Sequence, residues 1–459
     1  MVEISITILN LFFSIFFRLE VYLIYTKRLI IIEWFFDEVI QMKAILCGKI
    51  IPVTKDEIEN GHILIEKGKI KKIGNGFDVP KSAEIIDAKD MVAFPGLIDV
   101  HCHAAVFEEE IGMGLQDGNE CTDPITPHVR VLDAINPMEK GMRRAISGGM
   151  TTLCIAPGSG NVVGGQMTTI KAHGKVVDDM VIQEYAGMKC AFGENPKRVY
   201  GALNRTPSTR MGNVGVFRQL LMETQNYINK LADYDSKLKQ YKDDLKEYEK
   251  KKKEGKDKDL KKPVEPTKPD KNIKYDAMVP IFEKKVPLRA HAHQENDIIS
   301  AVRLAKEFDL DVTIEHCTHG HNIVDFLAKN KIPAIIGPTF GFRTKIELKD
   351  MTWKTLSVLY KAGVLVALTA DHPVVPLQFQ TIYAALAMRE GLPRQGAYEV
   401  ITINGAKILG LEKRIGSLEA GKDADIVLFT GDPLDTQSKA AKVLIDGEVI
   451  YDMNEEYVF

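Results

Sequence analysis

Apolar and polar positions alternate with three different rhythms along this chain. From Met42 to Phe94 the runs are short and broken by turn residues, as in His62-Ile-Leu-Ile-Glu-Lys-Gly68 and Lys69-Ile-Lys-Lys-Ile-Gly74. The same rhythm returns near the C-terminus in Ala424-Asp-Ile-Val-Leu-Phe-Thr430 and in 441–451. Runs of this kind predict hairpin strands. Neither end has enough strands to bury a face alone, so the two ends, 42–94 and 410–459, predict one small composite β-sandwich.

Between them, over 95–409, short apolar runs alternate with helical stretches such as 137–148 and 297–308. That alternation is the mark of parallel βαβ units. Eight strands are predicted, near 97–103, 151–156, 167–172, 187–192, 286–291, 311–316, 332–337 and 364–370. The fold class predicted is therefore α/β, a (β/α)8 TIM barrel with a small β-sandwich domain formed from both termini.

Two stretches fall outside this plan. Residues 226–276 hold 16 lysines and 12 acidic residues, with Pro263, Pro266 and Pro269 near their end. They read as an insertion between the fourth and fifth barrel strands, either a solvated helical hairpin or a disordered loop. Residues 1–41 form a hydrophobic extension: 4–17 is uncharged and mostly apolar, and Arg18, Glu20, Lys27 and Arg28 then interrupt the run. Glu3 and the lack of a small-residue cleavage pattern disfavour a signal peptide, and the run is short for a spanning helix. An upstream extension ahead of a natural start at Met42 is the preferred reading, with a membrane anchor as the alternative.

Composition narrows the classes. Hydrophobic residues are 45% and charged residues 27%, enough apolar material for a large core. Sixty Lys+Arg against 63 Asp+Glu give a net charge of −3, without the basic excess that binding to a phosphate backbone leaves. Nucleic acid is not an expected partner. The six cysteines Cys47, Cys102, Cys121, Cys154, Cys190 and Cys317 form no CxxC pair, so zinc-ribbon and thioredoxin motifs are absent and a reducing cytoplasm is the expected compartment.

Candidate chemistry gathers at predicted strand ends. The first barrel strand ends in Phe94-Pro-Gly-Leu-Ile-Asp-Val-His101-Cys-His103. Residues i and i+2 of a strand face one way, so His101 and His103 point together into the barrel mouth and suit one metal ion. The fifth strand leads into Pro287-Leu-Arg-Ala-His291-Ala-His293-Gln-Glu-Asn, the sixth into Val312-Thr-Ile-Glu-His316-Cys-Thr-His-Gly, and the eighth into Ala367-Leu-Thr-Ala-Asp371-His372-Pro. Active sites of such barrels form at the C-terminal strand ends, which brings His101, His103, His291, His316 and Asp371 together. Weaker candidates are His319 and His321 on the same rim, and the loop Gly158-Ser-Gly-Asn-Val-Val-Gly-Gly-Gln166, read either as a backbone nest for a substrate carboxylate or as a flexible cover.

With HxH after strand 1, single histidines after strands 5 and 6 and an aspartate after strand 8, in that order, the sequence resembles the amidohydrolase superfamily from Met42 to Asp452. Gly416-Ser-Leu-Glu-Ala-Gly-Lys-Asp-Ala-Asp-Ile-Val427 also looks like that family's closing segment. In flavour the sequence is similar to the imidazolonepropionase-related hydrolases. Imidazolonepropionase and the cytosine deaminases carry a glutamate three residues after the strand 5 histidine; Gln294 stands there here. The resemblance implies a divalent metal, zinc first, and two ions per chain if Lys189 in Gly187-Met-Lys189-Cys-Ala, similar to the isoaspartyl dipeptidases, is carboxylated and bridges them. Lys189 sits among apolar neighbours, where an unpaired charge is costly. Pairing with a buried carboxylate such as Glu194 is the structural alternative.

The implied metal set is His101, His103, Lys189, His291, His316 and Asp371. Metal-activated hydroxide would then hydrolyse a C–N bond of an amide, cyclic amide or dipeptide. Asp371 would take and return the proton, and His316 would either bind the second ion or polarise the carbonyl; His293 would contact substrate or support a ligand. A mononuclear deaminase of the same superfamily and a non-catalytic scaffold of the same fold are the alternatives. The expected partner is a small-molecule substrate, and self-association into a homo-oligomer is compatible with the sequence. Membrane contact is expected only if 1–41 is an anchor.

Overall fold

The computed structural model describes residues 42–109, 116–256 and 260–455, plus a separate pair of antiparallel strands, Leu23–Tyr25 and Arg28–Ile30. The expectations for the rest of 1–41, including its apolar run, lie outside the described residues.

Eight strands form one sheet in sequence order: β1 (Leu97–Cys102), β2 (Met150–Ile155), β3 (Val163–Lys171), β4 (Val181–Ala191), β5 (Leu288–Ala292), β6 (Val312–His316), β7 (Ala334–Ile336) and β8 (Val366–Leu368). Every residue of β1, β2, β5 and β6 is buried, as expected of strands covered on both faces. The sheet is nearly closed. Just beyond β8, Ala370 N donates to Asp99 Oδ2 (2.9 Å) and Thr369 Oγ1 to the carbonyl of His101 (2.5 Å), tying the last strand back to the first.

One strand breaks the predicted all-parallel plan. β3 runs antiparallel to both β2 and β4. The reason is chain length: only residues 156–162 join β2 to β3, and only 172–180, with the single-turn helix Val177–Met180, join β3 to β4. A parallel crossover needs a dozen residues or more. The uniform (β/α)8 expectation is therefore corrected to a mixed α/β barrel.

Strands from both ends of the described chain share a second sheet, in which Glu84–Pro95 pairs in parallel with Met42–Ile50 and antiparallel with Ile426–Phe429. Its strands are hydrogen-bonded to one another in a single continuous sheet. Ile45, Ile63, Ile426, Leu428 and Leu444 are fully buried in its core. Lys171, at the end of β3, binds Asp423 (2.9 Å), Asp425 (2.6 Å) and Asp446 (3.2 Å), and this buried cluster joins the barrel to that sheet.

The described residues of the charged segment between β4 and β5 begin with a long helix. A 44-residue helix, Arg210–Lys253, is anchored by Phe217, Leu220, Leu221, Thr224 and Tyr227, and beyond Tyr227 it has no buried residue. Past that point Leu231, Tyr234, Leu238, Tyr241, Leu245 and Tyr248 are partly buried while the positions between them are exposed. This is a heptad stripe of alternating spacing 3 and 4. The chain returns without helix or strand over 260–272, with Pro263, Pro266 and Pro269 partly covered and their neighbours exposed. A three-residue period is that of polyproline II, whose rise of ~3.1 Å per residue lets about 13 residues span the ~40 Å that about 26 helical residues cover. Among the described residues no helix is long and apolar enough to cross a membrane.

Candidate metal centre

The C-terminal ends of β1, β4, β5, β6 and β8 deliver the candidate side chains to one end of the barrel. His101 and His103 leave β1 with their rings 5.2 Å apart, and His316 at the end of β6 lies 5.0 Å from His101 and 4.5 Å from His291. Asp371 follows β8, with Oδ1 3.3 Å from His103 Nε2 and 3.5 Å from His101 Nε2, and Oδ2 4.0 Å from His316 Nδ1, the nitrogen that also faces Gly337 O. Lys189 on β4 brings its Nζ to 3.0 Å from His101 Nε2. The ligand atoms of His101, His316 and Asp371 all lie within 4.8 Å of one another, and so do those of His291, His293 and Glu347.

Local backbone geometry does part of the aiming. His316 has φ +69° and Asp371 φ +52°, left-handed conformations that cost ~1–2 kcal/mol in residues other than glycine. Such strain persists where the surrounding structure enforces it, and functional sites are where it concentrates. At Gly337, after β7, φ is +132° and an added Cβ would lie 2.1 Å from the carbonyl oxygen of Thr369. Only glycine fits there, and its carbonyl is the oxygen that faces His316 Nδ1 at 2.8 Å.

Outer partners set the histidine tautomers. His103 Nδ1 lies 2.7 Å from the carbonyl of Ala156, His316 Nδ1 as described, and His101 Nδ1 2.8 Å from Glu315 Oε2. With each Nδ1–H directed outward, the Nε2 lone pairs face inward. Glu315 is itself clamped by fully buried Arg289, whose Nε donates to Oε1 at 2.5 Å and whose Nη2 donates to the Val100 carbonyl at 2.7 Å. Asp99 accepts from the backbone of His101 and Ala370, both at 2.9 Å.

Electrostatics agree with this order. Burial pushes the Glu315 carboxyl up, but Arg289 and His101 outweigh it and hold it at about 2. For Asp371 burial is likewise overcome by the surrounding His316, His101 and His103, which leaves it well below the usual carboxylate range. Burial lowers His316 to about 3 against the pull of Asp371, and lowers His103, His291 and His293 as well. The Nε2 atoms of His101 and His103 both face Asp371 Oδ1, at 3.5 and 3.3 Å, an arrangement that a cation among them would neutralise. Buried His291 Nδ1 and His293 Nε2 have no hydrogen-bond partner. This donor set of imidazole and carboxylate fits divalent zinc.

The structure also sorts the weaker candidates. Lys189 is not paired with Glu194, whose backbone N donates instead to Glu347 Oε1 (2.5 Å). Gln294 turns away from the histidines, its Oε1 accepting from Arg210 Nη2 at 2.6 Å. His293 Nδ1 meets Thr318 Oγ1 at 2.7 Å, His319 Nδ1 meets Glu295 at 3.0 Å, and His321 Nδ1 meets Thr355 Oγ1 at 2.9 Å. Of the two readings of the loop 158–166, the backbone nest loses three of its amides, since Gly158 N donates to Gly118 O, Gly160 N to Asn119 Oδ1 and Val163 N to Pro124 O. Sequence reasoning missed Asp99, Arg289, Glu315 and Glu347. The first three stand inside the motifs quoted for the histidines, two residues before His101, two before His291 and one before His316.

A pH dependence follows for metal-stripped protein. His103, His291, His293, His316 and His372 all have folded pKa values below the ordinary ~6.5, with His316 at about 3 and His372 at about 4. Below ~6.5 the unfolded chain binds the protons these groups refuse, so stability falls on acidification by up to about 1.4 kcal/mol per pH unit for each group. Asp99 and Asp425, raised to about 6 by burial, and Asp297 and Glu347, also raised by burial, act in the opposite direction at lower pH, but the lowered histidines, which include His128, His173 and His321, outnumber them. The urea midpoint of the apoprotein is expected to drop steadily between pH 7 and pH 5; a flat profile would contradict the buried neutral cluster.

Comparison with known proteins gives the family. Residues 92–453 match the profile of the Amidohydrolase family. The chain belongs to the amidohydrolase family. The crystal structure of an amidohydrolase from Thermotoga maritima MSB8 is 42% identical, with a TM-score of 0.79 over 89% of this chain and 99% of that one. The amidohydrolase tasK of Hapsidospora irregularis is 28% identical over 90% of this chain, which spans 43% of tasK. A dihydroorotase from Caldicellulosiruptor saccharolyticus is 22% identical over 83% of this chain and 87% of its own length.

Proposed function

We propose that this amidohydrolase hydrolyses a C–N bond of an amide, a cyclic amide or a dipeptide with the help of two divalent cations, zinc first. The observation that carries the reading is the convergence of His101 Nε2 and His103 Nε2 on the Asp371 carboxylate, with His316 beside them and buried Lys189 Nζ 3.0 Å from His101 Nε2. His101, His103 and Asp371 would hold one ion, His291 and His316 the other, and a carboxylated Lys189 would bridge them. What such ions supply when bound is Lewis acidity toward a water and toward the scissile carbonyl.

The chain's own groups do the rest. Asp371, held ionised at neutral pH, accepts the proton of the attacking water and returns it to the leaving nitrogen. Glu315 and the carbonyls of Ala156 and Gly337 keep the three imidazoles in the tautomer that leaves Nε2 free. A dihydroorotase among the relatives supports a cyclic amide as one substrate class.

A deaminase of the same superfamily is the second reading, and a deaminase from Moorella thermoacetica, 23% identical over 83% of this chain, favours it. Gln294 weighs against it, since that side chain faces Arg210 and offers no carboxylate to the site.

The test is a screen of zinc-loaded protein against hydantoins, dihydropyrimidines, lactams, and isoaspartyl and prolyl dipeptides. Ring opening or dipeptide cleavage that chelation abolishes and zinc restores is the expected result. Ammonia release from aminated heterocycles with no hydrolysis of the panel would favour the deaminase.

A further inference from the structure

The chain pairs most of its buried lysines with carboxylates. Lys43 meets Glu448 (2.5 Å), Lys171 meets three aspartates, and Lys422 meets Glu419 (3.4 Å). Lys189 and Lys345 are treated differently, and both face the metal centre. Lys345, in the segment that follows β7, is half-buried, and its Nζ donates to one neutral acceptor, Asn195 Oδ1, at 3.2 Å. Among the described residues no carboxylate lies within ion-pair distance of it.

Three separate segments meet at this point. Asn195 sits in the first turn of the helix Glu194–Ala202 that follows β4, and its Nδ2 lies 2.7 Å from Ser159 Oγ and 3.3 Å from His291 Nε2. Ser159 belongs to the loop after β2. The preceding Gly193 has φ +83° and an added Cβ would lie 2.4 Å from Glu347 Oε1, so glycine is what lets the helix start this close to the site. Lys345, Asn195 and Ser159 thus form a polar wall beside His291.

We propose that Lys345, with Asn195 and Ser159, is the subsite that recognises a carboxylate carried by the substrate, next to the bond that is cut. This rests on the metal-centre reading above. A desolvated ammonium with one amide partner is costly, and an incoming carboxylate supplies the missing charge. Burial already holds Lys345 below the usual lysine range against the pull of Glu347, Asp371 and Glu194, and its positive charge helps keep His291 and His293 neutral. Substrates would then be amides or cyclic amides of amino or dicarboxylic acids with a free carboxylate.

Monohydroxamates of succinic, glutaric and adipic acid test this by calorimetric binding to zinc-loaded protein, each beside the uncharged hydroxamate of the same chain length. The hydroxamate reads the metal centre and the far carboxylate reads Lys345. At least one acid is expected to bind ~10–100-fold tighter than its uncharged counterpart, the range of a hydrogen bond to a charged group. Lys345→Met should erase that ratio and leave the uncharged probe bound, while Lys345→Arg keeps much of it. Should Lys345→Met fold poorly, Lys345→Gln decides by the same ratio. No preference in the unmodified protein, or a preference that survives Lys345→Met, overturns the subsite. Failure of every hydroxamate, charged or not, overturns the metal centre instead.

Discussion

Elemental analysis of a His101→Ala, His103→Ala double variant is expected to show most of its metal gone, against close to two equivalents of zinc-like metal in the unaltered protein. Both side chains leave the same strand end, and both aim Nε2 at Asp371 from 3.3 to 3.5 Å, so their removal leaves that carboxylate with His316 alone. Loss of a partner that merely supports a ligand costs 10–100-fold in metal affinity or activity, and loss of two ligands should exceed it. Hydrolytic activity should therefore fall by more than ~100-fold. The substitution also removes the partner of Glu315, but Arg289 still neutralises that carboxylate at 2.5 Å, so the fold should survive and circular dichroism should show it. A folded double variant that keeps its full metal content would mean that the ions sit elsewhere.

The reach of sequence reasoning in this chain follows the range of the forces involved. A short apolar run bounded by turn and helix signals is local, so it located β1, β5 and β6 to within a residue or two, and with them every histidine that meets in the barrel mouth. The direction of β3 is not local. It is decided by how few residues join it to β2 and β4, and the apolar run 167–172 looks the same whichever way the strand points. Glu315 and His316 show a second limit. Strict alternation would send one of two consecutive residues outward, yet both serve the site, because the left-handed φ of His316 turns the chain at the strand end. The charged segment gave a third. Its lysines and acids hide a Leu and Tyr stripe at heptad spacing and, further on, a run with proline at every third position, and both patterns are masked in sequence by the charges between them. Lys345 belongs to the same class: nothing around it in sequence marks it, and its meaning comes from Asn195 and Ser159, which arrive from two other segments.

Lys189→Ala should lose one metal and most activity, if Lys189 carries a carbamate that bridges two ions. Burial lowers this amine to about 8 against the opposing pull of Glu315 and Asp371. More of it is then neutral at pH 7 than an ordinary lysine would allow, and only the neutral amine attacks CO2. The nitrogen bonds to the CO2 carbon and loses a proton, which turns a cation into an anion. The alternative is expensive, since a free ammonium ~4 Å from a metal ion is repelled by several kcal/mol at the effective dielectric of a protein site. Lys189 Nζ lies 3.0 Å from His101 Nε2, and its charge also opposes protonation of His103, His291 and His316. Short-chain carboxylic acids added to Lys189→Ala should enter the vacated space and restore part of both metal content and activity. A variant that keeps its full metal complement would make Lys189 structural and the site mononuclear, and would leave His316 free to polarise the scissile carbonyl in place of binding a second ion.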